Sequence, residues 1–412
     1  MLRCGLLGKK LGHSYSPAIH AMLGDYEYLL YEKQPEELED FLKNGGFDGL
    51  NVTIPYKKAV VPYCAELSPT AKALGSVNTL VRRADGTLYG DNTDYFGFES
   101  LVRRSRIPVK GKKALVLGSG GASVTVCAVL RALGAASVTV ISRQGEDNYE
   151  NLSRHTDAEI IANTTPLGMF PHTGEAAVDL RDFPRCAGVF DLIYNPARTA
   201  LLLQAEELNI PCAGGLYMLA AQAKRSSEQF TGKPIPDRAI GRVERRLARS
   251  MQNVVLIGMP GCGKSTVGRM LAESLKRSLI DADAEVEKLA GKPIPQIFAE
   301  EGEEHFRQLE TQVLAELGKQ SGLVIATGGG CVTRPENYPL LHQNGVIVWL
   351  QRDIDRLAKT GRPISQRTDP QKLYEQRRPL YERFADLTAD NNGSSRETVQ
   401  RIREALYENS HS

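Results

Sequence analysis

Residues 258–265 read GMPGCGKS, the spacing GxxxxGK[ST] that wraps backbone N–H groups around nucleotide phosphates. In such a loop Gly258, Gly261 and Gly263 let the chain turn its amides inward, and Lys264 reaches the β and γ phosphates. The Ser265 hydroxyl binds Mg²⁺, and Thr266 follows it into the next helix. Further on, LIDADAE brings Asp281 and Asp283 to the end of a strand. Two carboxylates there can divide work between a metal shell and a substrate hydroxyl. A second glycine run, GSGGAS at 118–123, offers Gly118, Gly120, Gly121 and Ala122 to a dinucleotide pyrophosphate, with Ser123 where the standard pattern has its third glycine. By itself this loop leaves dinucleotide binding and a bare strand-to-helix turn both open. The next apolar run ends at Ser142 and Arg143. A cation in place of the carboxylate that grips a ribose 2′-hydroxyl suits a 2′-phosphate, which favours NADP(H) over NAD(H).

Both loops need a strand before them and a helix after, and the hydrophobic pattern supplies these. KKALVLG (112–118), the apolar stretch 122–134 and SVTVIS (137–142) form one βαβ unit, with Gly134 as helix C-cap. Strands are expected at 159–164, 188–194 and about 210–212, as a doubly wound sheet requires. Upstream, short β-rich runs such as GLNVTI and NTLVR alternate with amphipathic stretches at 35–44 and 57–66, an α/β pattern. Helices are expected at 216–230 and at the arginine-rich 238–250, and NVVLIG at 253–258 opens a new domain. The fold class is therefore α/β throughout. Domains are expected at 1–101, closed by helices from 214–248, at 102–213, which is Rossmann-like, and at 249–412, a P-loop domain with a parallel sheet; the resemblances given next imply their roles as substrate domain, NADP domain and kinase domain.

The residues around the P-loop carry a resemblance. LIDADAE, GEEHFRQLE, ATGGGC, TGRPI and RRPLYE follow it in order, and together they resemble the shikimate kinases. The resemblance implies that Asp281 belongs to the Mg²⁺ shell and that Asp283 orients the attacking shikimate hydroxyl. It implies that Arg307 and Arg377 bind the substrate carboxylate, for which a planar guanidinium is suited. Gly328, Gly329 and Gly330 lie beside the ring hydroxyls, and Arg362 is a lid residue that neutralises the transferring phosphoryl group. The stretch from Asp353 to Arg362 is shorter than most lids of that family, with Lys359 where an arginine often stacks on adenine.

HSYSPAIH, NVTIPYK, SVNTL, GDNTDYFGF, NTTPLGM, DLIYNPARTALL and GLYMLAAQA likewise resemble the shikimate dehydrogenases, in that family's order. The resemblance implies that Ser14 and Ser16 bind the substrate carboxylate. Thr53, Asn78, Asp94, Tyr194 and Gln222 map to other substrate contacts, and Lys57 with Asp94 to the catalytic dyad. A protonated lysine beside a carbonyl oxygen stabilises the negative charge that reduction puts there and can deliver a proton. Tyr95 stands where glycine is common, and Ser142 and Gln144 where the family often has Asn and Thr.

Together the two resemblances imply successive reactions, reduction of 3-dehydroshikimate to shikimate with NADPH and its phosphorylation at the 3-hydroxyl with ATP and Mg²⁺. Two alternatives stay open: quinate as a further substrate of the first half, and one half acting as a ligand sensor without turnover. Lys and Arg total 51 against 49 Asp and Glu, a net charge of +2 too small to imply a nucleic-acid partner. Seven cysteines lie scattered without CxxC or metal spacing. No run approaches the ~18 apolar residues of a membrane helix, and MLRCGLLGKKLG is too short in apolar residues for a signal peptide. A cytoplasmic enzyme of small-molecule substrates is expected, with nothing to set its oligomeric state. His13 and His20 flank the serine motif, where packing is the expected role, and His172 and His305 lack metal spacing.

Overall fold

The computed structural model describes residues 1–12, 14–358 and 369–408. The chain divides into two compact units. One comprises Met1–Met169, Glu175–Tyr194 and Leu201–Leu247, and the other Phe170–Gly174, Asn195–Ala200 and Ala248–Ser412.

The first unit contains two sheets. β1 (Arg3–Gly8), β2 (Glu27–Glu32), β3 (Gly49–Val52), β4 (Glu66–Leu67), β5 (Thr79–Arg82) and β6 (Leu88–Asp91) form a mixed sheet in the order β2-β1-β3-β5-β6-β4. Leu7, Leu50, Val52, Leu80 and Leu88 share one buried cluster on it. The helix Thr93–Ser105 then carries the chain into the second sheet. This sheet is built from β7 (Lys113–Leu117), β8 (Ser137–Ile141), β9 (Ile160–Asn163), β10 (Gly188–Asp191) and β11 (Cys212–Gly214). It is wholly parallel, in the order β11-β10-β9-β7-β8. β9 and β10 are buried along their whole length, as strands covered on both faces must be. Val116, Ile160 and Phe190 pack to one cluster, and Leu115, Ile161 and Val189 to another.

In the second unit β12 (Asn253–Ile257), β13 (Leu279–Asp281), β14 (Val324–Ala326), β15 (Gly345–Gln351) and β16 (Leu387–Asp390) make another parallel sheet, ordered β13-β14-β12-β15-β16. In both parallel sheets the first strand lies inside the sheet, where the direction of winding reverses. The crevice beyond such a strand is where ligands bind in open α/β folds. Each glycine loop leaves the sheet there, one after β7 and the other after β12.

Several elements match their sequence patterns. Helices occupy Leu216–Thr231 and Arg238–Met251, and Gly134 follows its helix with φ +83°, the left-handed geometry of a C-cap glycine. The stretch 57–66 differs. It forms turns, a single 3-10 turn, Val61–Tyr63, and at Glu66 the start of β4, rather than a helix. Pro62 supplies no N–H for a helical ladder, and the Tyr56 hydroxyl anchors the preceding turn by donating to Lys33 O at 2.5 Å.

Candidate active sites

Thr53 prolongs β3 through its N–H to Leu7 O at 2.9 Å, and a turn closed by Tyr56 N to Thr53 O, also 2.9 Å, leads to Lys57. Val77 N donates to Lys57 O at 2.8 Å. Across from it, Asn78 Oδ1 accepts Thr93 N at 2.7 Å and so fixes the start of the helix whose first turn carries Asp94. One segment, Val77–Asn78, thereby ties down both sides of a pair: Lys57 Nζ lies 2.6 Å from Asp94 Oδ2, with side chains 24% and 15% exposed. A pair that is sheltered yet partly exposed can hold an ammonium for a substrate oxygen. Asn78 Oδ1 also takes the hydroxyls of Thr79 and Thr93, both at 3.1 Å.

Ser14 Oγ accepts Ser16 N at 3.2 Å where the helix Ser16–His20 begins. Tyr194, past the end of β10, meets the ring of Tyr15 edge to face, with centroids 6.0 Å apart at 79°. Burial, and then the neighbouring Tyr15, pushes the Tyr194 phenol up, so it stays a neutral hydrogen-bond donor at physiological pH. Gln222 sits on Leu216–Thr231 and donates to Leu219 O at 3.0 Å. That helix closes on Asp94's helix at Gly97, where a Cβ would stand 2.9 Å from Met218 O and 3.0 Å from Gln222 Cβ. One turn beyond Gln222, Ser226 Oγ lies 2.7 Å from Asn51 Nδ2, 2.9 Å from Thr79 Oγ1 and 3.0 Å from Thr93 Oγ1. Ser226 and Thr79 escape sequence reasoning because their signal is only a small hydroxyl at a buried position. His20 is buried and stacks on Tyr28 at 4.0 Å, and burial brings its pKa down to about 3, which makes it a neutral packing residue. His13 lies outside the described residues.

At the first glycine loop Gly118 takes φ +98°, and a Cβ there would also crowd Thr165 Cγ2 at 2.8 Å. Gly120 and Gly121 stand at the start of the helix Gly121–Ala132, and among the described residues nothing lies within 4 Å of a Cβ added to either. Room for a pyrophosphate at a helix N-terminus is what a dinucleotide requires. Ala122 follows in the first turn. Leu117 and Ile141 are register partners, so Ser142 and the exposed Arg143 emerge beside this loop at the same edge of the sheet. Thr164 completes the rim, its hydroxyl donating to Leu117 O at 2.7 Å. These features fit a phosphorylated dinucleotide.

In the second unit Gly258, Gly261 and Gly263 adopt φ of +141°, +85° and +101°. A Cβ on Gly261 would come 2.6 Å from Ala358 O. Lys264 is buried and folds back to donate to Gly258 O at 2.8 Å and Met259 O at 3.2 Å, which curls the loop around its own ammonium. Ser265 Oγ donates to Asp281 Oδ2 at 2.8 Å, while Asp281 Oδ1 accepts Asp283 N at 3.1 Å. Thr266 continues the helix Lys264–Leu275. A hydroxyl and a carboxylate adjoining a phosphate loop are hard oxygen donors that suit Mg²⁺.

Gly328, Gly329 and Gly330 follow β14 and draw the predicted arginines together. Arg377 Nη1 donates to Gly329 O at 3.1 Å, and Tyr381 shares that carbonyl at 2.5 Å. A Cβ on Gly328 would lie 2.7 Å from Asp283 Oδ1 and 2.5 Å from Glu310 Oε1, and one on Gly330 would overlap the Arg307 guanidinium. Arg307 is buried, with Nη1 2.7 Å from Glu310 Oε2. Sequence reasoning missed Glu310, although an Arg and a Glu three apart on one helix face are neighbours. Burial pushes the Glu310 carboxyl up, and Arg307 pulls it back without reversing the shift. Gly330→Ala should displace Arg307, and with Arg307 as the expected ligand of the substrate carboxylate the KM for that substrate should rise about tenfold or more. Phosphorylation rates over a range of substrate concentrations check this. Arg362 and Lys359 lie outside the described residues.

A parallel 2-1-3-4-5 sheet with a glycine turn and a Lys–Asp pair makes the first unit a dinucleotide-linked oxidoreductase, and the P-loop makes the second a phosphotransferase. Residues 6–80 match the family model of the shikimate dehydrogenase substrate binding domain, and residues 260–407 that of shikimate kinase. The chain is 34% identical over 249 residues to a shikimate dehydrogenase (NADP(+)) of Clostridium perfringens, which covers 55% of this chain and 92% of that protein. A chorismate mutase/shikimate 5-dehydrogenase fusion protein from Clostridium acetobutylicum is similar at 35% identity and TM-score 0.57, over 60% of this chain and 97% of that one. The shikimate 5-dehydrogenase of Thermus thermophilus, in complex with NADP(H) and shikimate, matches at 31% identity and TM-score 0.55 over 60% and 99%. This chain belongs to the shikimate dehydrogenase family and carries a shikimate kinase region behind it. None of its described helices is long and apolar enough to cross a membrane.

Proposed function

We propose that this chain is a cytoplasmic bifunctional enzyme that reduces 3-dehydroshikimate to shikimate and then phosphorylates shikimate on its 3-hydroxyl. The observation that carries the reading is the Lys57–Asp94 pair at 2.6 Å in a shikimate dehydrogenase framework, continued in the same chain by an intact phosphate loop. When bound, NADPH supplies the reducing equivalent and Mg²⁺-ATP the phosphoryl group. Residues 1–101 with 214–248 act as substrate domain, 102–213 as NADP domain and 249–412 as kinase domain.

In the first reaction Ser14 and Ser16 hold the ring carboxylate, and Thr53, Asn78, Tyr194 and Gln222 take the hydroxyls. Lys57 faces the carbonyl carbon's oxygen, stabilises its developing charge and delivers the proton, while Asp94 keeps the ammonium aimed. Gly118, Gly120, Gly121 and Ala122 receive the pyrophosphate and Ser142 and Arg143 the 2′-phosphate. In the second, Arg307 and Arg377 hold the carboxylate and Gly328, Gly329 and Gly330 the ring. Asp283 orients the attacking hydroxyl, and Lys264 and Arg362 meet the phosphoryl charge. Gly258, Gly261, Gly263 and Thr266 shape the cradle, and Ser265 and Asp281 hold Mg²⁺.

Supplying 3-dehydroshikimate, NADPH, ATP and Mg²⁺ tests the whole reading. NADPH loss should match ADP formation, and omitting NADPH should suppress ADP formation unless shikimate is added. Nucleotide binding without turnover in either half would instead support a sensor role for that half. Arg143→Ala should raise the KM for NADPH about tenfold or more, in line with loss of a charged hydrogen bond, and leave that for NADH nearly unchanged. Equal losses for both nucleotides would remove the 2′-phosphate assignment.

A further inference from the structure

In sequence Tyr15 lies between the two serines proposed to take the substrate carboxylate, and it belongs to neither the Lys57 dyad nor the nucleotide loops. Its backbone and ring are both held in place by contacts. Tyr15 is the N-cap of the helix Ser16–His20, with Pro17 in the first turn and Ile19 N donating to Tyr15 O at 3.0 Å. Its side chain packs against the cluster of Ile19, Leu23, Ala220 and Val243, next to Leu216 and Tyr217. Tyr194 is mounted differently, on an irregular segment after β10 that is held nearby by Gly215 N to Ile193 O at 2.9 Å. The two rings meet at 6.0 Å and 79°, the edge-to-face arrangement in which the positive rim of one ring meets the negative face of the other.

The first ring rises from the serine motif after β1 and the second from the C-terminal end of β10, so the contact joins the substrate sheet to the NADP sheet within the first unit. The direction of a phenol on a loop depends on what its ring packs against, and the Tyr194 ring packs edge to face on Tyr15.

We propose that Tyr15 is a positioning residue for the dehydrogenase reaction, bracing Tyr194 so that its hydroxyl meets the substrate. The inference rests on the proposed reading of Tyr194 as a substrate contact. An aromatic pair of this geometry contributes roughly 0.5–1.5 kcal/mol beyond its burial, which corresponds to roughly two- to tenfold in an equilibrium.

The test is a double-mutant cycle on the full chain, with shikimate oxidation by NADP⁺ as readout and Tyr15→Leu, Tyr15→Phe, Tyr194→Leu and Tyr15→Leu/Tyr194→Leu as variants. Tyr15→Leu should raise the KM for shikimate roughly two- to tenfold while kcat and the KM for NADP⁺ hold. Tyr15→Phe, which keeps the ring, should restore the wild-type value. In the Tyr194→Leu background, Tyr15→Leu should add nothing further. A full additional loss in that background, or a wild-type KM in Tyr15→Leu, would overturn the inference. Thermal melting of each variant separates a folding defect from a binding one, and Tyr15→Phe gives a second reading if Tyr15→Leu is poorly folded, because loss in a ring-preserving variant also counts against the brace. Failure of the wild-type chain to oxidise shikimate would instead remove the functional reading itself.

Discussion

Lys57→Ala should lower kcat for NADPH-dependent reduction about 10²- to 10⁴-fold, the usual worth of a positioned proton donor, while ADP formation from added shikimate stays at the wild-type rate. The alanine removes the group proposed to face the carbonyl oxygen and leaves its scaffold in place. The Lys57 carbonyl is held by Val77 N, a main-chain bond that the substitution does not touch. Asn78 still caps the helix through Thr93 N, so Asp94 stays where it is. The loss should therefore fall on kcat more than on the KM for either substrate. Asp94→Asn provides the contrast. It keeps a hydrogen-bonding partner for Lys57 but removes the charge proposed to aim the ammonium, so kcat should fall. Stopped-flow absorbance of NADPH, run beside an ADP assay on the same preparation, separates these outcomes. Equal loss of both activities in Lys57→Ala would refute separate assignments.

Much of this architecture was legible in the chain because the decisive residues are punctuated. A glycine with positive φ, such as Gly118 or Gly261, sits where other side chains are strained, and its neighbours alternate with the period of a buried strand or helix. The 57–66 stretch was harder to read. Its apolar spacing suits a helix, but the chain there is tied by Tyr56 to Lys33 O and by Lys57 O to Val77 N, long-range bonds that leave no mark on local pattern. The hidden parts of the sites follow the same logic. Arg307 stands out as a charge, whereas Glu310 beneath it reads as one more surface glutamate until the fold buries it. Ser226, which joins Asn51, Thr79 and Thr93, is silent for the same reason.

Asp283→Asn should reduce kcat for phosphorylation about 10²- to 10⁴-fold and leave NADPH oxidation unaffected. The position of this carboxylate is set twice. Its main-chain N–H donates to Asp281 Oδ1 at the start of the helix Ala282–Ala290, and its Oδ1 packs so closely on Gly328 that a Cβ there would stand 2.7 Å away. Asparagine preserves that shape and backbone bond but removes the negative acceptor proposed for the substrate hydroxyl, so the KM for ATP should hold while turnover collapses. Asp281→Asn changes something else. Asp281 Oδ2 accepts the Ser265 hydroxyl at 2.8 Å, and both are proposed to hold Mg²⁺, so neutralising Asp281 should raise the Mg²⁺ concentration needed for half-maximal rate, with activity partly restored at high Mg²⁺. Excess Mg²⁺ should not rescue Asp283→Asn. An ADP assay across a Mg²⁺ titration distinguishes the two, and rescue of Asp283→Asn by added metal would mean that the roles of the two aspartates are exchanged.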